Sequence, residues 1–230
     1  MKSITSRRAF LRSAGLAGLS LLAGCASTNR EVKFSLSKRP PLKVLPRRSA
    51  FTSLYPALPN EKFPIKAIPK GRLKSKYHRR RVRYDTSEKP GTVVVDTKNF
   101  YLYHVQKGGY AMRYGVGLGR AGFEWSGRAR IAWKRKWPKW TPPDEMIARS
   151  PELQKWSAEN GGMPPGLDNP LGSRALYIHQ GNVDTLYRIH GSPEISSIGK
   201  AVSSGCVRLV NHDVIHLYDN VRSGSPIVVL

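Results

Sequence analysis

The chain has 230 residues and 40% of them are hydrophobic, which suits one globular domain with an appended segment and excludes a wholly disordered protein. Its net charge of +24 is uneven, because residues 30–90 carry 18 Lys and Arg against four Asp and Glu, whereas residues 91–230 carry 17 against 11. Two cysteines, Cys25 and Cys206, are too few for a small disulfide-stabilised scaffold.

Residues 1–25 are predicted to be an export signal. Arg7 and Arg8 resemble the twin-arginine export motif, and the uncharged residues 13–24 are too few to remain as a membrane-spanning helix. Residues 22–25, Leu-Ala-Gly-Cys, are similar to a bacterial lipobox, which implies that Cys25 is acylated. The alternative is ordinary cleavage near Cys25 without a lipid. Both interpretations predict the periplasm or cell envelope, and the first predicts a membrane-anchored lipoprotein.

Residues 26–90 are predicted to be a basic tether. Eight prolines lie between Pro40 and Pro90 among many Lys and Arg, a composition typical of extended, solvated chain. The basic run 77–83 would suit a nucleic acid, but an exported protein meets anionic lipid headgroups and envelope carboxylates instead. We therefore predict a link from the membrane to the cell wall and no nucleic-acid partner. Whether the residues near Tyr84 pack on the following domain is left open.

Residues 91–230 have the pattern of a mainly β domain, a sandwich or barrel with a few short helices. Short β-branched and aromatic runs separated by turn residues predict strands. These strands are expected at residues 91–96, 100–105, 110–116, 129–133, 175–178, 185–189 and 226–230. The apolar period of residues 212–221 predicts a helix with Asn211 as its N-cap, and a second short helix is expected at 152–159. Residues 137–168 form a long excursion of the kind that builds lids or substrate walls.

The segment from His190 to Arg208 has the composition of a cysteine-nucleophile site. A thiol attacks acyl groups as the thiolate, and a nearby imidazole can take its proton. Cys206 follows His190 by 16 residues, and an extended 206–209 segment would place Cys206 and Arg208 on one face. A cation there would lower the pKa of the thiol and bind a substrate carboxylate or carbonyl, and the backbone N–H groups of Gly205 and Cys206 are candidate oxyanion donors. The alternative is a buried cysteine that only fills space.

The same residues carry a resemblance to a known family. His190-Gly191 followed by residues 203–209, Ser-Ser-Gly-Cys-Val-Arg-Leu, is similar to the signature of L,D-transpeptidase (YkuD-type) catalytic domains, and the resemblance extends over residues 91–230. It implies a β-sandwich-like fold and a Cys206 acyl-enzyme formed with the tetrapeptide stem of peptidoglycan, with release of the terminal D-residue. It further implies that His190 is the general base and acid, that the carbonyl of Gly191 orients the imidazole, and that carbapenem-type inhibitors acylate the cysteine.

Substrate contacts are predicted around this pair, at Arg208, Ser203, Ser204 and His179. Many members of the family have His two residues before the nucleophile, where this chain has Ser204, so contacts at that position are expected to differ. No metal site is predicted, because no His and Cys cluster has zinc-ligand spacing. No cofactor is predicted, because the glycine-rich residues 115–119 lie among strands with no following helix.

Three functions are compatible with this domain. In the first, transpeptidation, an amine on another stem or on an envelope lipoprotein takes the acyl group from Cys206. In the second, water or a free D-amino acid takes it, which gives L,D-carboxypeptidase activity or exchange. The third is a non-catalytic wall-binding lipoprotein, which has no need for a paired base and thiol. Five tryptophans either form a glycan-stacking wall or anchor the long excursion, namely Trp125, Trp133, Trp137, Trp140 and Trp156.

Overall fold

The computed structural model describes residues 50–119, 126–203 and 206–230. The predicted export signal, residues 26–49, Trp125, Ser204 and Gly205 lie outside these described residues. The described chain is mainly β with a few short helices, which confirms the predicted class.

Eleven strands are present in the described residues. They are β1 (Arg80–Arg83), β2 (Val93–Asp96), β3 (Tyr101–Gln106), β4 (Tyr110–Gly115), β5 (Gly117–Gly119), β6 (Gly127–Lys136), β7 (Arg174–Gln180), β8 (Val183–Ser192), β9 (Ala201–Ser203), β10 (Val207–Val210) and β11 (Pro226–Val229). The α-helices are α1 (Phe51–Leu54), α2 (Asp144–Arg149) and α3 (Asn211–Asn220), with 3-10 turns at Ser75–Tyr77, Pro151–Trp156 and Ile195–Ser197. None of these helices of the described chain has both the length and the hydropathy needed to cross a membrane.

The strands form one hydrogen-bonded sheet in the order β1-β4-β3-β2-β11-β6-β7-β8-β10-β5-β9. Hairpin neighbours pair antiparallel, whereas β8 pairs with β10 in parallel. Tyr114 of β4 and Leu118 of β5 lie far apart in this order, yet both are fully buried in the same apolar cluster. The sheet therefore curves so that distant strands share one core, which is the arrangement expected of a closed β domain.

Helix α3 packs on β7, β8 and β10 and contributes Val214 and Leu217 to the core. The prediction that Asn211 is its N-cap is wrong. Val210 occupies the cap position and Asn211 is the first helical residue. The Asn211 side chain is used for a tertiary contact instead, since its Oδ1 accepts the backbone N–H of Ser173 at 2.9 Å. A sequence pattern reports capping propensity and cannot report such a competing partner.

The excursion between β6 and β7 has its own internal order. The short helix predicted at 152–159 is present as the 3-10 helix Pro151–Trp156, and α2 before it was not predicted. Asn169 is completely buried, and its side-chain amide donates to the carbonyls of Pro138, Met163 and Pro164. These bonds close the excursion on itself and fix it as a wall beside the sheet.

The described part of the predicted tether is folded. Tyr55, Ile68, Leu73 and Tyr77 are buried together with residues of the 195–210 region. The interpretation of residues 50–83 as solvated tether is therefore wrong, because apolar residues spaced among the basic ones bury a second core. The basic and Pro-rich composition led to the tether prediction, because the few apolar residues that form this second core are spaced among many Lys, Arg and Pro. The prolines here separate short segments that pack on the domain.

Two ion pairs fasten this N-terminal segment to the sheet and to α3. Arg79 Nη1 lies 3.1 Å from Asp213 Oδ1, and the Asp213 side chain is only 1% exposed. Glu61 accepts from Arg174 at 2.6 Å and from the indole of Trp137 at 2.9 Å. The segment thus reaches both the start of α3 and the base of the excursion.

Candidate active site

Strand β10 presents Cys206 and Arg208 to the same side of the sheet. Its register with β8 sets Arg208 opposite His190, and the side chains of Cys206, Arg208 and His190 all line one cavity. Val207 and Leu209 face the other way and are buried in the core. The alternation predicted for residues 206–209 is therefore confirmed.

His190 lies at the end of β8 and is only 4% exposed. Its Nδ1 lies 2.6 Å from the carbonyl oxygen of Gly191. Because a carbonyl only accepts, Nδ1 carries the hydrogen, and the neutral ring keeps its lone pair on Nε2. This is the tautomer that a general base at Nε2 requires.

Burial lowers the pKa of His190 to about 4. The carbonyls of Gly191 and Pro170 oppose this effect, and the guanidinium groups of Arg208 and Arg188 add to it. The imidazole is consequently neutral at physiological pH, so it is ready to accept a proton instead of carrying one already.

The carbonyl of Gly191 is held in place by close packing that only glycine permits. A Cβ on Gly191 would lie 2.3 Å from Asn211 Oδ1, and one on Gly172 would lie 2.4 Å from the same oxygen. The Oδ1 of Asn211 also accepts a hydrogen bond from the backbone N–H of Ser173. Asn211 therefore connects α3 both to Gly191 in β8 and to the chain at Gly172 and Ser173. The orientation of the imidazole therefore depends on the first residue of α3.

Cys206 is a partly exposed free thiol. Burial raises the pKa of this thiol above its usual value, while the backbone N–H of Arg188 and the guanidinium groups of Arg188 and Arg208 act in the opposite direction. The resting pair is thus a neutral thiol beside a neutral imidazole. Such a thiol reacts when its proton moves to the base as the carbon–sulfur bond forms.

Arg208 retains spare hydrogen-bond donors. Its Nη1 lies 3.6 Å from Glu194, whose side chain is 59% exposed, and its Nε is buried without a partner among the described residues. An exposed, distant ion pair is weak and readily exchanged. The guanidinium can therefore bind a substrate carboxylate or carbonyl.

The cavity that contains these groups has a volume of about 840 Å³. One wall is the excursion, which contributes Trp140, Met146 and neighbouring prolines, and another is the β7–β8 hairpin with Tyr177 and Tyr187. Among the described residues its charged lining consists of Lys139, Arg149, Arg188, Arg208 and the one acid Glu145. The balance favours an anionic ligand with apolar parts. No group of acidic, His and Cys side chains in the described residues is arranged to hold a metal ion.

The other predicted site residues differ in where they lie relative to the cavity. Ser203 ends β9 opposite Gly119, whereas Ser204 and Gly205 lie outside the described residues. His179 is not among the residues that line the cavity; it pairs with Asp184 near the turn of the β7–β8 hairpin. We therefore drop His179 as a substrate contact.

The tryptophans divide between the two roles considered for them. Trp140 lines the cavity, Trp137 is buried against Phe63, and Trp133 is 39% exposed and stacks on Tyr177. Trp137 therefore serves as an anchor of the excursion.

Sequence reasoning missed three groups, Arg188, Tyr177 and Asn211. Arg188 and Tyr177 line the cavity, and Asn211 packs behind the imidazole. Arg188 stands two residues before His190, and that spacing in a strand places both on one face, so the signal was present. The roles of Tyr177 and Asn211 depend on long-range packing that the sequence does not display.

The sequence profile of the YkuD family, described as the L,D-transpeptidase catalytic domain, matches residues 90–229, which is more than half of the chain. Probable L,D-transpeptidase ErfK/SrfK of Escherichia coli strain K12 is 32% identical over 148 residues, covering 60% of this chain and 43% of that protein. Probable L,D-transpeptidase YbiS of the same strain is 32% identical over 142 residues, covering 59% and 43%. The chain thus spans less than half the length of these curated relatives.

A crystal structure from Brucella melitensis, described as a probable carnitine operon oxidoreductase caia, is 45% identical and covers 69% of this chain and 96% of its own, with a TM-score of 0.48.

Proposed function

The chain belongs to the YkuD family of L,D-transpeptidase catalytic domains, and we propose that it is a peptidoglycan L,D-transpeptidase with Cys206 as its nucleophile. The observation that carries the proposal is the meeting of Cys206, His190 and Arg208 in one cavity, with Nδ1 of His190 tied to Gly191. A neutral imidazole held through Nδ1 in the same cavity as a thiol has a use in acyl transfer and none in simple binding. A non-catalytic wall-binding role is disfavoured for this reason.

In the proposed reaction Nε2 of His190 takes the proton of Cys206 while the sulfur attacks the carbonyl carbon that precedes the terminal D-residue of a tetrapeptide stem. The negative charge moves to the carbonyl oxygen, where the N–H groups of Cys206 and Gly205 are the proposed donors. His190 then returns the proton to the leaving amine, the carbon–nitrogen bond breaks, and a thioester remains. An acceptor amine reverses these steps and regenerates the thiol.

The charge of the cavity supports a peptidoglycan stem as donor. Such a stem ends in a carboxylate, and the cationic lining includes Arg208 with its spare donors. The volume of about 840 Å³ is in the range of sites that enclose small peptides and ligands. Water or a free D-amino acid could resolve the same thioester, so carboxypeptidase or exchange activity is the second candidate.

Incubation of the purified protein with muropeptides, followed by mass spectrometry of the products, separates these activities. Transpeptidation predicts cross-linked stems, exchange predicts tetrapeptides with a substituted terminal residue, and hydrolysis predicts tripeptides. Cys206→Ala should form none of these products. Unchanged muropeptides with the parent protein, or products with Cys206→Ala, would contradict the proposal.

We further propose that the protein works in the periplasm, exported by the twin-arginine-like signal and anchored by a lipid on Cys25. The support is the sequence of residues 1–25. Cys25→Ser should move the protein from the membrane fraction to the soluble fraction of lysed cells. Persistent membrane association of this variant would show that the basic residues, not a lipid, hold the protein there.

A further inference from the structure

A row of planar side chains crosses three neighbouring strands and ends at the cysteine. Trp133 of β6 lies opposite Tyr177 of β7, and Tyr177 lies opposite Arg188 of β8. The parallel register of β8 and β10 pairs Ile189 with Val207, and the residues before this pair, Arg188 and Cys206, line the same cavity. Adjacent strands are about 4.8 Å apart, so each member of the row is within reach of the next.

Contacts along the row immobilise the guanidinium of Arg188. The rings of Trp133 and Tyr177 stack with centroids 3.4 Å apart and planes 11° from parallel. The guanidinium carbon of Arg188 lies 4.5 Å from the Tyr177 centroid, and its Nη1 and Nη2 donate to the two oxygens of Asp184 at 2.7 and 2.9 Å. A planar cation held by a ring face and a bidentate carboxylate has little rotamer freedom left.

Both parts of Arg188 act on the sulfur of Cys206. Arg188 and Cys206 line the same cavity, and both the backbone N–H and the positive charge of Arg188 lower the pKa of the thiol. This matters because His190 is buried and neutral, so it does not supply a resident positive charge. The charge that develops on the sulfur during attack needs a cation that is already in place.

The charged and titratable groups around Cys206 come from four parts of the chain. Among the described residues they are His190, Arg188 and Tyr187 from β8, Arg208 from β10, Tyr177 from β7, and Lys139, Glu145 and Arg149 from the excursion, while Asp184 and Glu194 pair with Arg188 and Arg208. Arg208 is loosely paired and suited to bind substrate, whereas Arg188 is rigidly held. The two arginines therefore have different tasks.

We propose that Arg188 stabilises the Cys206 thiolate and that the Trp133–Tyr177 stack positions its guanidinium for this task. The inference rests on the proposed function, because it assigns Arg188 to the nucleophile of that reaction. It adds a residue to the site that neither the cysteine motif nor the imidazole pair contains.

The test is the pH dependence of Cys206 alkylation by iodoacetamide, a neutral reagent, in a Cys25→Ser background where Cys206 is the only thiol. Arg188→Gln should move the alkylation midpoint to higher pH by about one unit, which is about a tenfold slower reaction at pH 7. Arg188→Lys keeps the charge without the planar contacts and should give a smaller shift. Arg222→Gln, the loss of an exposed arginine that does not line the cavity, should leave the midpoint unchanged.

An unchanged midpoint in folded Arg188→Gln would overturn the proposal. If that variant does not fold, Trp133→Leu carries the test, because this side chain is 39% exposed and its loss should shift the midpoint in the same direction by releasing Tyr177. An unchanged midpoint there would overturn it equally. Alkylation needs no stem peptide, so its outcome is separate from the muropeptide experiment that tests the proposed function.

Discussion

The chemistry at Cys206 depends on a histidine that is kept neutral. Burial lowers the pKa of His190 to about 4, and the hydrogen bond to Gly191 leaves Nε2 as the base. Between pH 4 and the usual imidazole pKa near 6.5, an exposed histidine would lose its basic form while His190 keeps it. His190 therefore keeps the neutral form that can act as a base well below neutral pH.

This difference predicts the acid limb of the pH profile. We expect kcat/KM for a stem tetrapeptide to fall near pH 4 and to stay level between pH 5 and 6.5, since kcat/KM reports groups of the free enzyme. Initial rates at low substrate across pH 3.5–8 measure it, with unfolding checked at each pH. A limb centred near 6.5 would contradict a buried neutral imidazole.

Cys206 should also react with carbapenem-type inhibitors. Family membership and the exposed part of Cys206 lead us to expect that a carbapenem opens its ring on the sulfur and leaves one covalent adduct. Intact-protein mass spectrometry should show the adduct in the parent and in Cys25→Ser, and none in Cys206→Ala. An adduct that persists without Cys206 would mean that another nucleophile reacts.

At the scale of elements, α3 links the N-terminal segment to His190, the proposed general base. Asp213 in its first turn accepts from Tyr55 and pairs with Arg79, while Asn211 packs against Gly191. Burial raises the pKa of Asp213 to about 7 even with the partial compensation from Arg79. Without Arg79, the buried carboxyl of Asp213 would lose the positive charge that partly offsets the effect of burial on its pKa.

Breaking this pair should be costly. We expect Arg79→Gln to lower the free energy of unfolding by about 2 kcal/mol, because Asp213 and the carbonyls of His212 and Leu54 lose their hydrogen-bond donor. Urea denaturation at pH 7 measures the change, with the exposed Arg72→Gln as control. The double variant Arg79→Gln/Asp213→Asn should recover part of the loss. A single variant as stable as the parent would show that the pair contributes nothing.

The strands near the site were predictable because their signals are local. Runs such as residues 93–96 and 226–229 are β-branched and bounded by turn residues, and the alternation of 206–209 gave the correct faces. Tyr177 and Asn211 were not predicted in their observed roles, because a strand register and a helix-to-loop contact join residues far apart in sequence. The excursion was predicted as a lid or substrate wall with one short helix at 152–159, where a 3-10 helix is observed, whereas α2 was not predicted.

At the scale of the whole molecule, the folded unit begins earlier than the matched family domain. Residues 50–79 bury Tyr55, Ile68, Leu73 and Tyr77 against the 195–210 region, although the family profile matches only from residue 90. Composition alone predicted a tether here, because charge and proline content describe the average of a segment and not the placement of its few apolar residues.

Removing this segment should therefore destabilise the catalytic domain. We expect a variant that begins at residue 80 to lose roughly 5 kcal/mol or more of stability, since four large side chains lose their burial and leave their partners exposed. A matched variant that begins at residue 50 keeps this segment and serves as the reference. Thermal denaturation compares the three, and equal melting of the residue-80 variant would contradict a structural role for the segment.

The central proposal is that Cys206 carries the acyl group of a peptidoglycan stem. Rapid quenching of the protein with a stem tetrapeptide, followed by intact mass and peptide mapping, tests it directly. We expect a mass increase equal to the stem without its terminal D-residue, located on the peptide that contains Cys206 and absent in Cys206→Ala. Release of the D-residue with no adduct on Cys206, or turnover that survives Cys206→Ala, would contradict it.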